Sequence, residues 1–167
     1  MHRAVPEDWR AWREVRLRGL RSDPDAFGSA WQREQDFTEQ QWRERLATSY
    51  AVLARVGAAV QAEPVATGGL VIPTPGVSQV VAMWTAPEHR GRGVGRAVLE
   101  HLVGAVPRGD RLVLWVADQN PAERLYRDLG FAPTGAREPI RPGATLMKSE
   151  MERPPRPAGP PPSAAGA

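Results

Sequence analysis

Between a strand-like run and a helical one, the chain carries Pro87-Glu88-His89-Arg90-Gly91-Arg92-Gly93-Val94-Gly95-Arg96-Ala97. Three alternate glycines permit backbone conformations closed to other residues, and they let N–H groups approach a ligand with no side chain in the way. The run before it, residues 78–85, reads as a strand. The run after it repeats Val94, Ala97, Val98, Leu102, Val103 and Val106 as one helix face, stopped by Pro107 and Gly109. Residues 111–117 then contain Leu-Val-Leu-Trp-Val, a continuous apolar run of the kind found in strands buried on both faces of a parallel pairing. Strand, crossover helix and parallel strand make one right-handed unit. The chain must be built around it.

Upstream, Trp9, Trp12, Val15, Leu17 and Leu20 fall mostly at helical spacing over residues 7–21, and Ser22-Asp23-Pro24 stops them. A second helix is expected with Thr38 as its N-cap and Gln41 in the capping-box position, carrying Trp42 and Leu46 inward. The stretch 27–31 between them reads as a loop, whose Phe27 and Trp31 are placed to wall a pocket, whereas Trp9, Trp12 and Trp42 read as core. Residues 50–56, 65–72 and 78–85 form an expected antiparallel meander, with turns at Gly57 and at Pro73-Thr74-Pro75-Gly76. Downstream, residues 121–129 read as a helix with Asn120 as cap, Pro121 first in the helix, Glu123 in the capping box and Gly130 as the stop. Short strands at 131–135 and 145–152 would close the sheet as a hairpin.

With 167 residues the chain suits one domain, expected over residues 1–152. Residues 153–167 hold no large apolar side chain and read as a disordered or polyproline-like tail rich in Pro, Ala and Gly. No run approaches the ~18 apolar residues of a membrane span. The first residues lack the apolar core of a secretory signal, so a cytoplasmic location is expected. There is no cysteine, which excludes disulfides, thiolate metal sites and a cysteine acyl-enzyme. No metal is implied.

Net charge is +3, and Lys148 is the single lysine among 22 basic residues. Acidic residues interleave with the arginines, so the pattern is a solvated mixed surface rather than a phosphate-tracking stripe. A nucleic-acid-binding module is therefore the least favoured class. At the turn itself, the helix N-terminal pole favours an anion by roughly 0.3 to 1 kcal/mol, and Arg90, Arg92 and Arg96 surround it with full charges. A diphosphate is the natural occupant. Walker A fails because no Gly-Lys-Ser/Thr follows, and the Rossmann fingerprint fails because Arg96 takes the place of its last glycine.

Arg90-x-x-Gly93-x-Gly95 after a strand, followed some thirty residues later by Leu125-Tyr126-Arg127-Asp128-Leu129-Gly130-Phe131, resembles the GNAT superfamily of N-acetyltransferases. The resemblance spans residues 1–152. It implies an α+β fold with a central, mostly antiparallel mixed sheet, helices on both faces, and a fourth and fifth strand splayed around acetyl-CoA. It implies that the amides of Gly91, Arg92, Gly93, Val94, Gly95 and Arg96 hold the pyrophosphate. The main chain of Trp84 and Thr85 would bond the pantetheine, and Tyr126 would stand near the sulfur as general acid. Family members commonly place an Asn seven positions before the Tyr. Here Asn120 lies six before Tyr126 and Gln119 occupies the usual place, so either is a candidate contact to pantetheine.

The chemistry is consistent with those residues. Attack by an amine on a thioester expels a thiolate of pKa ~8.5, below tyrosine's ~10, so Tyr126 stays protonated and available to donate. A protonated alkyl amine costs roughly 4.6 kcal/mol to deprotonate at pH 7, and many family members place a carboxylate on the fourth or fifth strand for it. These strands offer Gln79, Met83 and Trp115 instead. The nearest acids are Asp118, ranked first, and Glu34 or Asp36. Expected acceptors are a small-molecule amine or a peptide N-terminus, near Phe27, Trp31 and the segment 137–142, with the protein a monomer or a homodimer. The missing strand carboxylate leaves a non-catalytic acyl-CoA sensor as the alternative.

Overall fold

A computed structural model describes residues 1–56 and 62–155. The expected turn at Gly57 and residues 156–167 of the expected tail lie outside the described residues. The meander forms as β2 (Tyr50–Arg55), β3 (Pro64–Thr74) and β4 (Val77–Thr85), each antiparallel to the next. Helix α4 (Val94–Ala105) then carries the chain to β5 (Arg111–Ala117), which lies parallel to β4. The last hairpin, β6 (Ala132–Pro139) and β7 (Met147–Arg153), is threaded so that β7 is the inner strand. One mixed sheet results, in the order β1-β2-β3-β4-β5-β7-β6. Its outer strand β1 (His2–Ala4) has no counterpart in the sequence reading, because three residues are too few to display a period.

Strand alternation assigns the two faces. Val52 and Ala54 share a core with Val98, Leu99 and Leu102 of α4 and Tyr126 of α5 (Ala122–Asp128). Their neighbours Ala51 and Leu53 point the other way, into a core with Trp12 and Val15 of α1 (Trp9–Ser22) and Trp42 and Leu46 of α3 (Glu39–Ala47). Trp12 meets Trp42 edge-on at 5.5 Å between ring centres. Helices therefore cover both faces, and the cleft between β4 and β5 is reached by elements from each.

Local chemistry accounts for where the helices begin. Thr38 and Gln41 form the expected capping box: Gln41 N–H donates to Thr38 Oγ1 at 3.3 Å, and Thr38 N–H to Gln41 Oε1 at 2.8 Å. At α5 the expected box does not form, and the cap position falls on Pro121 rather than Asn120. Asn120 Oδ1 accepts from Ala122 N–H at 2.9 Å, but Glu123 takes two bonds from Arg127, at 3.0 and 2.6 Å, and does not reach back. A charged partner one turn ahead outcompetes a neutral amide behind. The expected loop 27–31 is also revised, since Trp31 opens a single helical turn, α2 (Trp31–Glu34). Among the described residues no helix is long and apolar enough to cross a membrane.

Candidate active site

The parallel ladder between β4 and β5 runs only from Val77 opposite Arg111 to Val80 opposite Leu114. Beyond it residues 81–85 and 115–117 draw apart. The cause is visible in β4: Thr67 stands opposite Trp84 and Gly69 opposite Val81, so Ala82 and Met83 share one place in the ladder. Ala82 adopts φ 55°, a left-handed conformation rare for a residue with a side chain. The bulge bends β4 away from its neighbour. The opening is a cleft of about 720 Å³, walled by β4, β5, the start of α5 and the segment after α1.

One end of the cleft meets the glycine turn. Gly91 and Gly93 have φ of 71° and 81°, and Gly93 caps α4. Gly95 is helical; an added Cβ there would lie 3.2 Å from Thr85 Oγ1, so its role is close approach to β4. The first bond closed by the turn is Ala97 N–H to Gly93 O at 2.9 Å. The amides of Val94, Gly95 and Arg96 precede it and have no acceptor within the helix.

The three arginines divide their work differently from the expectation that all would ring the helix pole as free charges. Arg90 Nη2 donates to Asp23 Oδ2 at 2.6 Å and its Nε to the Thr85 carbonyl at 2.9 Å. Arg96 Nη2 donates to Asp128 Oδ2 at 3.0 Å, tying the start of α4 to α5. Arg92 is exposed and makes no ion pair among the described residues. Carboxylates brought in by the fold, invisible to local sequence, claim the other two.

Tyr126 lines the cleft from α5, 7% exposed, with its ring edge-on to Phe131. Burial pushes its phenol up to about 12. Gln119 and Asn120 both line the cleft, Gln119 with φ 63° and Asn120 with its side-chain oxygen engaged by Ala122. The Trp84 side chain faces away from β5: its Nε1 donates to Asp23 Oδ2 at 2.8 Å and Ser22 Oγ at 3.2 Å.

The opposite wall comes from residues 22–27, with Phe27 buried in it. Trp31 does not join: it stacks under Arg21, 4.3 Å from guanidinium carbon to ring centre, and is absent from the cleft lining. Asp118 lines the cleft at the end of β5 and is ion-paired with Arg137 of β6. Glu34 is excluded as a cleft base, being fully buried between Arg16 and Arg45, and Asp36 is likewise outside the lining. No residue of the segment 137–142 lines the cleft, but Arg141 reaches its wall, donating Nη1 to the carbonyls of Pro24 at 3.1 Å and Phe27 at 3.3 Å. Asp23 is the site residue that sequence reading missed; it was visible only as part of a helix stop.

The family model for the Acetyltransferase (GNAT) family matches residues 9–131. The chain belongs to the GNAT acetyltransferases. A search of curated proteins finds no match. Among solved structures, the ribosomal-protein-S5-alanine acetyltransferase of Vibrio fischeri is similar with a TM-score of 0.75 at 13% identity, covering 95% of this chain and 94% of that one. A Salmonella typhimurium protein solved with its cofactor acetyl-CoA gives 0.71 at 20%, covering 97% and 96%. The ribosomal-protein-S18-alanine N-acetyltransferase of Escherichia coli gives 0.66 at 18%, covering 95% and 94%. At such identities the likeness is one of fold.

A GNAT acetyltransferase uses acetyl-CoA for acyl transfer, and the residues present fit that coenzyme. The diphosphate would meet unpaired amides at Val94, Gly95 and Arg96 and the free charge of Arg92. The Gly95 approach to Thr85 keeps the turn against the cleft. Among the described residues no three His, Asp or Glu side chains gather as a metal site.

Proposed function

We propose that this GNAT enzyme is an N-acetyltransferase that passes the acetyl group directly to an amine of a small molecule or a peptide N-terminus. The observation that carries this reading is a cleft with the buried Tyr126 in its wall that ends at Thr85 and Arg90, against which the amide-rich start of α4 is packed through Gly95. Acetyl-CoA, when bound, supplies an activated acyl thioester. The backbone of residues 91–96 holds the diphosphate, the unpaired edge of β4 near Thr85 holds the extended chain that follows, and Gln119 and Asn120 flank it.

Tyr126 keeps its proton at Oη. With its phenol near 12, the proton sits about 5 kcal/mol more favourably on the tyrosine than on a free thiolate. Tyr126 therefore stabilises the departing sulfur as a hydrogen-bond donor, and completes the transfer only to the extent that the sulfur's charge is desolvated beside it. Each cleft carboxylate is already paired with a guanidinium: Asp23 with Arg90, Asp25 with Arg141, Asp118 with Arg137. Of these Asp118 is the group assigned to the amine's proton, because it directly follows β5 and lines the cleft beside Gln119.

The test is thiol release from acetyl-CoA with a panel of amines, alcohols and short peptides. Amine-dependent release is expected. Tyr126→Phe should lower kcat by about 10²-fold or more with acetyl-CoA affinity nearly intact. Calorimetric acetyl-CoA binding without release on any amine would leave an acyl-CoA sensor as the better reading.

A further inference from the structure

Asp23 joins two parts of the molecule that the sequence keeps apart. Its Oδ2 accepts from Ser22 Oγ at 2.6 Å, from Trp84 Nε1 at 2.8 Å and from Arg90 Nη2 at 2.6 Å. Arg90 continues the connection by donating Nε to the Thr85 carbonyl at the end of β4. The chain turns at Asp23 into the cleft wall, where Pro24, Ala26 and Phe27 follow. Arg90 opens the glycine turn. Three donors on one oxygen exhaust its acceptor capacity, so this oxygen is occupied by the protein itself and not offered to a ligand. Burial opposes the charged form of Asp23, and the bonds from Arg90, Ser22 and Trp84 outweigh it, holding the carboxyl below its usual range.

We propose that Asp23 is a positioning residue that couples the glycine turn to the cleft wall: by fixing Arg90 and Trp84 on one oxygen, it makes occupancy of the turn felt at the wall formed by residues 22–27. This rests on the reading that the turn holds the diphosphate of acetyl-CoA. Coupling of this kind is reciprocal and typically changes affinity by about 5- to 150-fold.

The experiment uses the full chain and two probes: acetyl-CoA, and its nucleotide fragment 3′-phospho-ADP, which carries the diphosphate without the pantetheine or the acetyl group. Affinity is read by calorimetry and amide exchange by mass spectrometry. In the wild type, both probes should slow exchange at residues 22–27 as well as at 93–97. Asp23→Asn, which keeps the shape and loses the charge, should weaken binding about 5- to 20-fold. It should also abolish protection at 22–27 while leaving protection at 93–97. Arg90→Gln, at a half-exposed residue that folding can spare, should do the same, and the double variant should add little. A clamp that merely stabilises the fold would leave the probe-dependent protection in place.

Unchanged wall exchange in the wild type with the fragment bound overturns the coupling. So do wild-type affinity in both single variants or simple additivity in the double variant. Failure of the wild type to bind either probe overturns the placement of the coenzyme, and the coupling with it.

Discussion

Glu34 and Arg16 meet inside the protein through two parallel bonds, Nε to Oε2 at 3.0 Å and Nη2 to Oε1 at 2.8 Å. Arg45 closes the group with Nη1 on Oε2 at 2.9 Å. The Arg16 guanidinium also lies over the Phe27 ring, 4.7 Å from its centre, so the ion group supports the cleft wall. Removing one member leaves a buried charge unpaired, at a typical cost of roughly 3 to 5 kcal/mol. Glu34→Ala is expected to lose about that much in urea unfolding, and a loss under 1 kcal/mol would show that water reaches Arg16.

The same group sets an acid limb of stability. Burial works against the Glu34 carboxylate, but the bonds and charges of Arg16 and Arg45 prevail and hold it below the ordinary 4.5. A depressed folded-state pKa contributes stability that is complete above the unfolded value and lost as pH falls through the folded one. Wild-type unfolding free energy should fall below about pH 4.5, and Glu34→Gln should flatten part of that fall. Parallel pH profiles for the two proteins would assign the acid limb to other carboxylates.

For Tyr126 the shift has the opposite sign. Desolvation favours the neutral phenol, which stays protonated until about pH 12. With acceptor saturating, kcat is expected to show no alkaline loss from this group below about pH 11. A decline with midpoint near 10 that disappears in Tyr126→Phe would mean that the phenol is solvated during turnover.

Two glycines of the turn should respond differently to alanine. Gly93 has open space around a hypothetical Cβ but a φ of 81°, so Gly93→Ala is expected to cost about 1 to 2 kcal/mol of stability through strain alone. Gly95 is in helical conformation and would push its Cβ onto Thr85 Oγ1. Gly95→Ala should keep stability and weaken acetyl-CoA binding by moving the turn off β4. Thermal unfolding and calorimetry on both variants separate strain from displacement, and equal effects on both readouts would refute the division.

Sequence alone carried much of this fold because local signals happened to agree with tertiary placement. The glycine turn, the α4 face and the apolar run of β5 are legible since each follows from spacing within one element. The Thr38 box closed as its two residues dictate. What escaped depends on distant partners. Asp23 bonds Trp84 and Arg90 across 61 and 67 residues, and nothing near Asp23 signals either. Likewise Arg96 reads as a phosphate ligand until Asp128 is brought beside it. The bulge at Ala82 is silent in the sequence, because its φ is imposed by the register of β3 and carried by a residue that does not favour it.

Arg141 offers the sharpest separation of acceptor from coenzyme. It reaches from the segment after β6 to the carbonyls of Pro24 and Phe27, with Asp25 Oδ1 3.6 Å away, and so straps the hairpin to the cleft wall proposed to face the acceptor. Among the described residues it makes no hydrogen bond or ion pair with the glycine turn or with Tyr126. Arg141→Ala removes two hydrogen bonds to partly solvated carbonyls and an exposed ion pair, worth about 1 to 2 kcal/mol together, so the fold should survive. The wall segment would then be free to drift from Leu146, which lines the same cleft. The expected result is a several-fold rise in acceptor KM with acetyl-CoA Kd unchanged. A variant that loses coenzyme affinity while keeping acceptor KM would place the acceptor on the other side of the cleft, away from Phe27.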